Sequence, residues 1–271
     1  MKLSSKTDTG VVRKNNEDSL LVIAPWSGLA IEKKACLFVV ADGMGGQNAG
    51  EVASGIAVTT AREWFKNNSF EDLNTKHMED LITVVNEKVW TYSQSHPETK
   101  GMGTTFSAIL FKGEKAIIGH IGDSRLYRSR KGELSQLTND HSIVGEQVKL
   151  GKLTPEQARV SPVRNILSKV LGARQFIQPD IFETSIEIDD QFVLCSDGVY
   201  TMIECEEMER IINNTPAEKL SRVLIDRANA GGGKDNSTAI AFKVTEFPIK
   251  IPSPYSPQRL FRLIFNFCDN I

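Results

Sequence analysis

Runs of apolar and β-branched residues recur along this chain, and an acidic residue repeatedly stands at one end of the run. In "LFVVADGMGGQNAGE" the apolar stretch closes on Asp42 and glycines follow it. The runs predict strands over residues 19–24, 35–41, 104–111, 115–121, 124–129, 181–188, 191–196 and 237–244. "FKGEK" separates two of them, and Asp189-Asp190 between two others reads as a hairpin turn. Helical spacing appears in three blocks. Residues 50–68 carry Val52, Ile56, Trp64 and Phe65, and residues 75–94 carry Met78, Leu81, Ile82, Val85, Val89 and Tyr92. Residues 215–233 open with Thr215 as the expected N-cap and Pro216 at the first helical position. Strands and helices come in clusters rather than in strict alternation, which predicts an α+β fold with antiparallel sheets covered by helices. No repeat or linker interrupts residues 1–245, expected to be one domain, and residues 246–271 form a tail, "FPIKIPSPYSPQ" and then "RLFRLIFNF".

Composition narrows the classes. The chain has 271 residues, 40% hydrophobic and 24% charged, as in ordinary globular proteins. A formal net charge of -2 argues against a nucleic-acid partner. Cys36, Cys195, Cys205 and Cys268 form no CxxC pair, and Cys36 and Cys195 sit in apolar runs, so buried thiols in a reducing compartment are expected. "MKLSSKTDTG" lacks the apolar core of a signal peptide, and no stretch reaches the roughly 20 apolar residues of a membrane span. The expected location is the cytoplasm.

The acidic residue recurs too regularly to be dismissed as turn chemistry. "QFVLCSDGVY" ends a run on Asp197, "AIIGHIGDSRLY" places Asp123 after one, Asp235 in "GGGKDNSTAIAF" precedes one, and Glu17 and Asp18 in "RKNNEDSLLVI" stand at the mouth of another. Each Asp-Gly alone is a common turn. Together, strand-end carboxylates can converge at one sheet edge or between two sheets, where unpaired charge is costly unless a proton or a cation neutralises it. The donors are all oxygen, which suits Mg²⁺ or Mn²⁺ rather than zinc. Gly43 would let its carbonyl approach an ion, and Gly45 and Gly46 would turn the chain away. Arg13, the basic residue of the N-terminal acidic motif, has two readings: a fork for phosphate oxygens, or a surface ion pair to Glu17 at helical spacing.

These residues resemble the metal-dependent Ser/Thr protein phosphatases of the PP2C type in their compact bacterial form. The matching stretches are "RKNNED", "VVADGMGG", "GMGTT", "GHIGDSRLYR", "LTNDHSIV", "RNILSKVLG", "LCSDGVY" and "GGKDNSTAI", in the family's order over residues 11–242. The resemblance implies a four-layer αββα sandwich with two central antiparallel sheets and a metal cleft at one end. It implies that Asp42 bridges two Mn²⁺ or Mg²⁺ ions, with Asp197 and Asp235 completing one shell and the Gly43 carbonyl serving the other. Glu17 and Asp18 would hold metal-bound waters, and Asp123 with Asp197 would form a third-ion site. Arg13 would bind the substrate phosphate, and residues 140–162 would form a flap beside the cleft. The implied reaction is attack of a metal-bridging water or hydroxide on phosphoSer or phosphoThr.

One position departs from the family. Animal members carry a His after the Asp-Gly that acts as general acid, and here it is Met44. His120 reads as a core-edge residue and His141 as part of the flap, so neither is assigned that role. The alternative from another class is a catalytically weak phosphatase-like binding or regulatory module. The glycine-rich loop lacks the Lys-Ser/Thr of a nucleotide-binding loop. Implied partners are phosphorylated proteins, a Ser/Thr kinase or its substrates. The tail has two open readings, docking on the domain or contact with a membrane surface or partner, and a monomer is expected.

Overall fold

The computed structural model describes residues 1–45 and 49–247. The strands are β1 (Lys2–Asp8), β2 (Asp18–Ile23), β3 (Cys36–Met44), β4 (Gly103–Thr104), β5 (Phe106–Lys112), β6 (Lys115–Ile121), β7 (Arg125–Arg130), β8 (Glu133–Gln136), β9 (Asp180–Ser185), β10 (Gln191–Cys195) and β11 (Ser237–Lys243). The helices are α1 (Gly28–Lys33), α2 (Ala49–Asn67), α3 (Thr75–Ser95), α4 (Ile143–Lys149), α5 (Pro155–Arg159), α6 (Asp197–Tyr200), α7 (Cys205–Asn214) and α8 (Ala217–Ala230). One antiparallel sheet runs β1-β11-β10-β7-β8 and the other β2-β3-β5-β6-β9, with β4 on the end of β3.

The two-residue period of the strands builds the layers. In β10, Phe192 and Leu194 join the large core between the sheets, while Val193 and Cys195 face the cluster made with α7 and α8. In β11, Ile240 and Phe242 point into the same inner core, and Ala239 and Ala241 point outward. Phe242 joins the two sheets: its ring lies 4.7 Å from Phe38 of β3 and 4.9 Å from Phe192. α2 and α3 cover the outer face of the second sheet through residues such as Ala57, Ala61, Met78 and Ile82. Gly119 in β6 makes room for α3, since a Cβ there would lie 2.4 Å from Met78. The expected α+β sandwich with two antiparallel sheets is the fold observed.

Several local expectations are corrected. Asp189-Asp190 is no hairpin turn: β9 belongs to one sheet and β10 to the other, so this segment crosses between them. Asp190 fixes the crossing by accepting two hydrogen bonds from Arg130, at 2.8 and 2.7 Å, and one from Glu187 N. Thr215 does not cap α8. Its N–H closes the preceding helix on Ile211 O, and Pro216 with extended ψ takes the cap position. β1 and β8 escaped the apolar pattern because both are polar edge strands, formed by backbone pairing to β11 and β7. α7 escaped it because its acidic face masks a narrow stripe of Met208, Ile211 and Ile212. Among the described residues no helix is long and apolar enough to cross a membrane. Residues 248–271, most of the expected tail, lie outside the described residues.

Candidate active site

Strand ends from both sheets deliver the acidic residues to one end of the sandwich. Asp18 opens β2 directly opposite Asp42 in the β2–β3 register. Asp42 is fixed by its backbone: its N–H donates to Thr105 Oγ1 (2.9 Å), and its carbonyl accepts from Thr104 Oγ1 (2.9 Å) and Thr105 N (2.8 Å). From the other sheet, Asp197 begins α6 immediately after β10, and Asp235 stands just before β11. Asp123 lies in the turn from β6 to β7, which joins the two sheets. The Gly43 N–H donates to Glu17 O (3.0 Å), and a Cβ at Gly43 would lie 2.0 Å from Gly50 O, so the start of α2 admits no side chain there. Gly46 lies outside the described residues.

Burial and mutual repulsion make the cluster hard to ionise. Asp18 is 7% exposed, and burial, with Asp235 adding to it, pushes its pKa up to about 6. Asp123 is pushed up to about 7 by burial and then by Asp140. Burial and the neighbouring carboxylates hold Asp42 and Asp197 well above the carboxylate range. Like charges directly across a strand pair repel, and Asp42 is repelled by both Asp18 and Asp197. The Asp18 Oδ2 accepts from Ser196 Oγ (2.7 Å), while the buried Oδ1 has no hydrogen-bond partner.

Among the described residues no three His, Cys, Asp or Glu side chains are preset as a metal-ligand group. Asp235 Oδ2 accepts from Arg13 Nη2 (2.8 Å) and its Oδ1 from Asn236 N (2.9 Å), and the Glu17 carboxylate turns to the Gly50 N–H. The donor chemistry nevertheless fits hard divalent ions. It is all carboxylate and carbonyl oxygen, strongly repelling, with an orphaned buried oxygen on Asp18. A divalent cation would neutralise such a set.

Arg13 pairs with Asp235 across the cleft, not with Glu17, because residues 10–17 form turns and not a helix. Burial works against its charge, but Asp235, Glu17 and Asp197 outweigh that and hold the guanidinium more firmly protonated. Its side chain stays 49% exposed, so it can reach an incoming anion. Met44 ends β3 and is exposed. His120 is buried, with Nδ1 on Ser107 Oγ (2.7 Å) and Nε2 on Asn139 O (3.0 Å), and burial pushes its pKa down to about 4. His141 accepts from the Gly122 N–H and sits 3.2 Å from Asp180, at the root of the segment containing α4 and α5. Sequence reasoning gives Thr104, Thr105 and Ser196 only as strand residues and assigns Asn236 no role. The signal that could have found them is their place inside "GMGTT", "LCSDGVY" and "GGKDNSTAI".

Carboxylates gathered from two sheets, with a half-exposed arginine beside them, are a donor set that suits enzymes bringing hard cations to an anionic ester. The model of the protein phosphatase 2C family matches residues 14–235, and the chain belongs to that family. It is 36% identical over 243 residues to the serine/threonine phosphatase stp of Listeria monocytogenes, covering 87% of this chain and 92% of the relative. Among solved structures it superposes with the serine/threonine phosphatase PstP/Ppp of Mycobacterium tuberculosis at a TM-score of 0.80 and 31% identity, covering 90% of this chain and 99% of that one. A structure of the catalytic domain of the serine threonine protein phosphatase PstP in complex with two manganese ions aligns at a TM-score of 0.77 and 32% identity, covering 90% and 98% of the two chains.

Proposed function

We propose that the chain is a metal-dependent protein serine/threonine phosphatase that hydrolyses phosphoSer and phosphoThr monoesters to the free hydroxyl and inorganic phosphate. The observation that carries this reading is the meeting of Asp18, Asp42, Asp123, Asp197 and Asp235 from both sheets at one end of the sandwich. Asp42, Asp197, Asp235 and the Gly43 carbonyl would hold two Mn²⁺ or Mg²⁺ ions, Asp123 with Asp197 would hold a third, and Glu17 and Asp18 would order the surrounding waters. When bound, such ions supply Lewis acidity toward phosphoryl oxygens and a water acidic enough to ionise near neutral pH.

The chain's own residues bind and orient. Arg13 offers its planar fork to two phosphoryl oxygens, exchanging the Asp235 carboxylate for substrate and stabilising the charge that grows on those oxygens. The Asp42 backbone is fixed by Thr104 and Thr105, and the Asp18 carboxylate accepts from Ser196. Met44 has no proton to donate to the leaving alkoxide. The expected substrates are phosphorylated proteins, a Ser/Thr kinase or the targets of one, met by a monomer in the cytoplasm. Among the described cysteines Cys36, Cys195 and Cys205 are free thiols, in keeping with a reducing compartment.

Asp42→Asn and Asp197→Asn are each expected to lower Mn²⁺-dependent hydrolysis of a phosphothreonine peptide by about 10³-fold or more, with the circular dichroism spectrum unchanged. Wild-type rates in both variants, or a wild-type protein inert with Mn²⁺, would leave a binding module as the better description.

A further inference from the structure

Residues 9–17, which link β1 to β2 and carry Arg13, have little regular structure of their own. Two backbone contacts reach this loop from the other side of the cleft, Val11 N and Val12 N on Gly233 O at 2.8 and 3.2 Å. At the far end Glu17 O accepts from Gly43 N (3.0 Å) and Ser54 Oγ (2.6 Å), and one buried side chain reaches both ends of the loop. Asn236 is 4% exposed, and its Nδ2 donates to Thr9 O (2.9 Å) and to Asn15 O (2.9 Å), while its Oδ1 accepts from Glu17 N (2.9 Å). Both ends of the loop are therefore pinned to one amide, with Arg13 between them. The backbone N–H of the same residue does a separate job, donating to Asp235 Oδ1 (2.9 Å).

We propose that Asn236 is the positioning residue for phosphate binding: its side-chain amide holds the loop so that Arg13 meets the substrate, while its backbone alone serves Asp235. This rests on the reading of Arg13 as the phosphate-binding residue. An amide is suited to the task because one planar group supplies two donors to carbonyls and one acceptor to an N–H. Thr9 and Glu17 are half-buried and Asn15 is exposed, so water can replace the amide and the loop is free to rearrange when it is removed.

The division of labour makes the idea testable. Asn236→Ala keeps the backbone N–H to Asp235 and removes the three side-chain hydrogen bonds that Asn236 makes to the loop. With Mn²⁺-loaded enzyme and a phosphothreonine peptide, it is expected to raise KM about tenfold and to lower kcat by a smaller factor, because Arg13 meets the phosphoryl oxygens both in the bound substrate and in the transition state. Mn²⁺ affinity by titration calorimetry should stay within about twofold of wild type. Arg13→Ala should raise KM by at least as much, and the double variant Arg13→Ala/Asn236→Ala should match Arg13→Ala alone, since the second change acts through the first. If Asn236→Ala does not fold, Asn236→Ser, which can keep one of the hydrogen bonds, is expected to show a smaller rise in KM.

The arms separate two failures. If Arg13→Ala leaves KM unchanged, the phosphate-binding reading falls and this inference with it. If Arg13→Ala raises KM and the Asn236 variants do not, the inference alone is wrong. Multiplying effects in the double variant, or Mn²⁺ affinity falling in step with KM, would also overturn it.

Discussion

Gly198 has room for no more than a hydrogen atom because of a neighbour distant in the chain. A Cβ at this position would lie 1.9 Å from Asn236 O and 3.0 Å from Ser237 Oγ, because the start of β11 lies directly against the first turn of α6. The requirement is space rather than backbone conformation. Gly198→Ala is expected to cost about 1–3 kcal/mol as overpacking, lowering Tm by roughly 3–10 °C for a chain of this size. A thermal melt checks it, and an unshifted Tm would show that the contact relaxes freely. The carboxylates could be read along the chain because a charge closing an apolar run is anomalous. Asn236, Ser196 and Thr105 could not, because a neutral polar residue at a strand end looks like ordinary turn chemistry until its partners are seen. Asp-Gly likewise read as a turn, and only packing shows why glycine follows Asp197.

The segment holding α4 and α5 is anchored at its root. Arg125 donates three hydrogen bonds to the Asp140 carboxylate, at 3.0, 3.2 and 2.7 Å, and its guanidinium lies 3.7 Å over the Tyr200 ring. Tyr200 in turn donates to Asp123 O (3.0 Å), and His141 N donates to Gly122 O (2.7 Å). One polar cluster thus ties the start of the flap to the turn that bears Asp123. Asp140→Asn leaves the Arg125 charge without its counterion. Because both side chains keep some exposure to solvent, the expected cost is about 2 kcal/mol, below that of a fully buried pair. Limited proteolysis is expected to cut faster within residues 143–162 while the sandwich survives; a wild-type digestion pattern would disprove the anchoring. Central strands such as β3, β5 and β10 were readable because both their faces are buried and apolar. β1 and β8 were not, since at a sheet edge the backbone partner makes the strand and the side chains stay polar.

At the scale of the whole molecule the acidic cleft couples proton binding, ion binding and stability. Asp18 at about 6 and Asp123 at about 7 lie above their unfolded value near 3.9. The fold therefore binds more protons than the unfolded chain between about pH 4 and 7, and ion-free stability contributed by these groups falls as pH rises through that window. Divalent ions need the deprotonated carboxylates, so their stabilisation grows over the same window. His120, pushed down to about 4, acts with the opposite sign, losing stability as pH falls from about 6.5 toward 4, but equally with and without ions. Saturating Mn²⁺ is expected to raise Tm by about 5–10 °C near neutral pH and by little near pH 5. Scanning calorimetry with Mn²⁺ or with chelator measures both, and an equal rise at the two pH values would contradict the competition.

What the amino-acid order determined by itself was local: which stretches could be buried strands, which could be amphipathic helices, and which strand ends carry charge. These follow from period and composition, because a strand shows two faces and a helix one stripe wherever in the fold it lies. Only the tertiary structure decided that Asp189-Asp190 carries the chain from one sheet to the other, that Asp18 stands opposite Asp42, and that Arg13 reaches Asp235. Those outcomes depend on register and on contacts between residues more than two hundred positions apart. Coulomb repulsion and hydrogen-bond geometry act through space, and a sequence lists neighbours only along the chain.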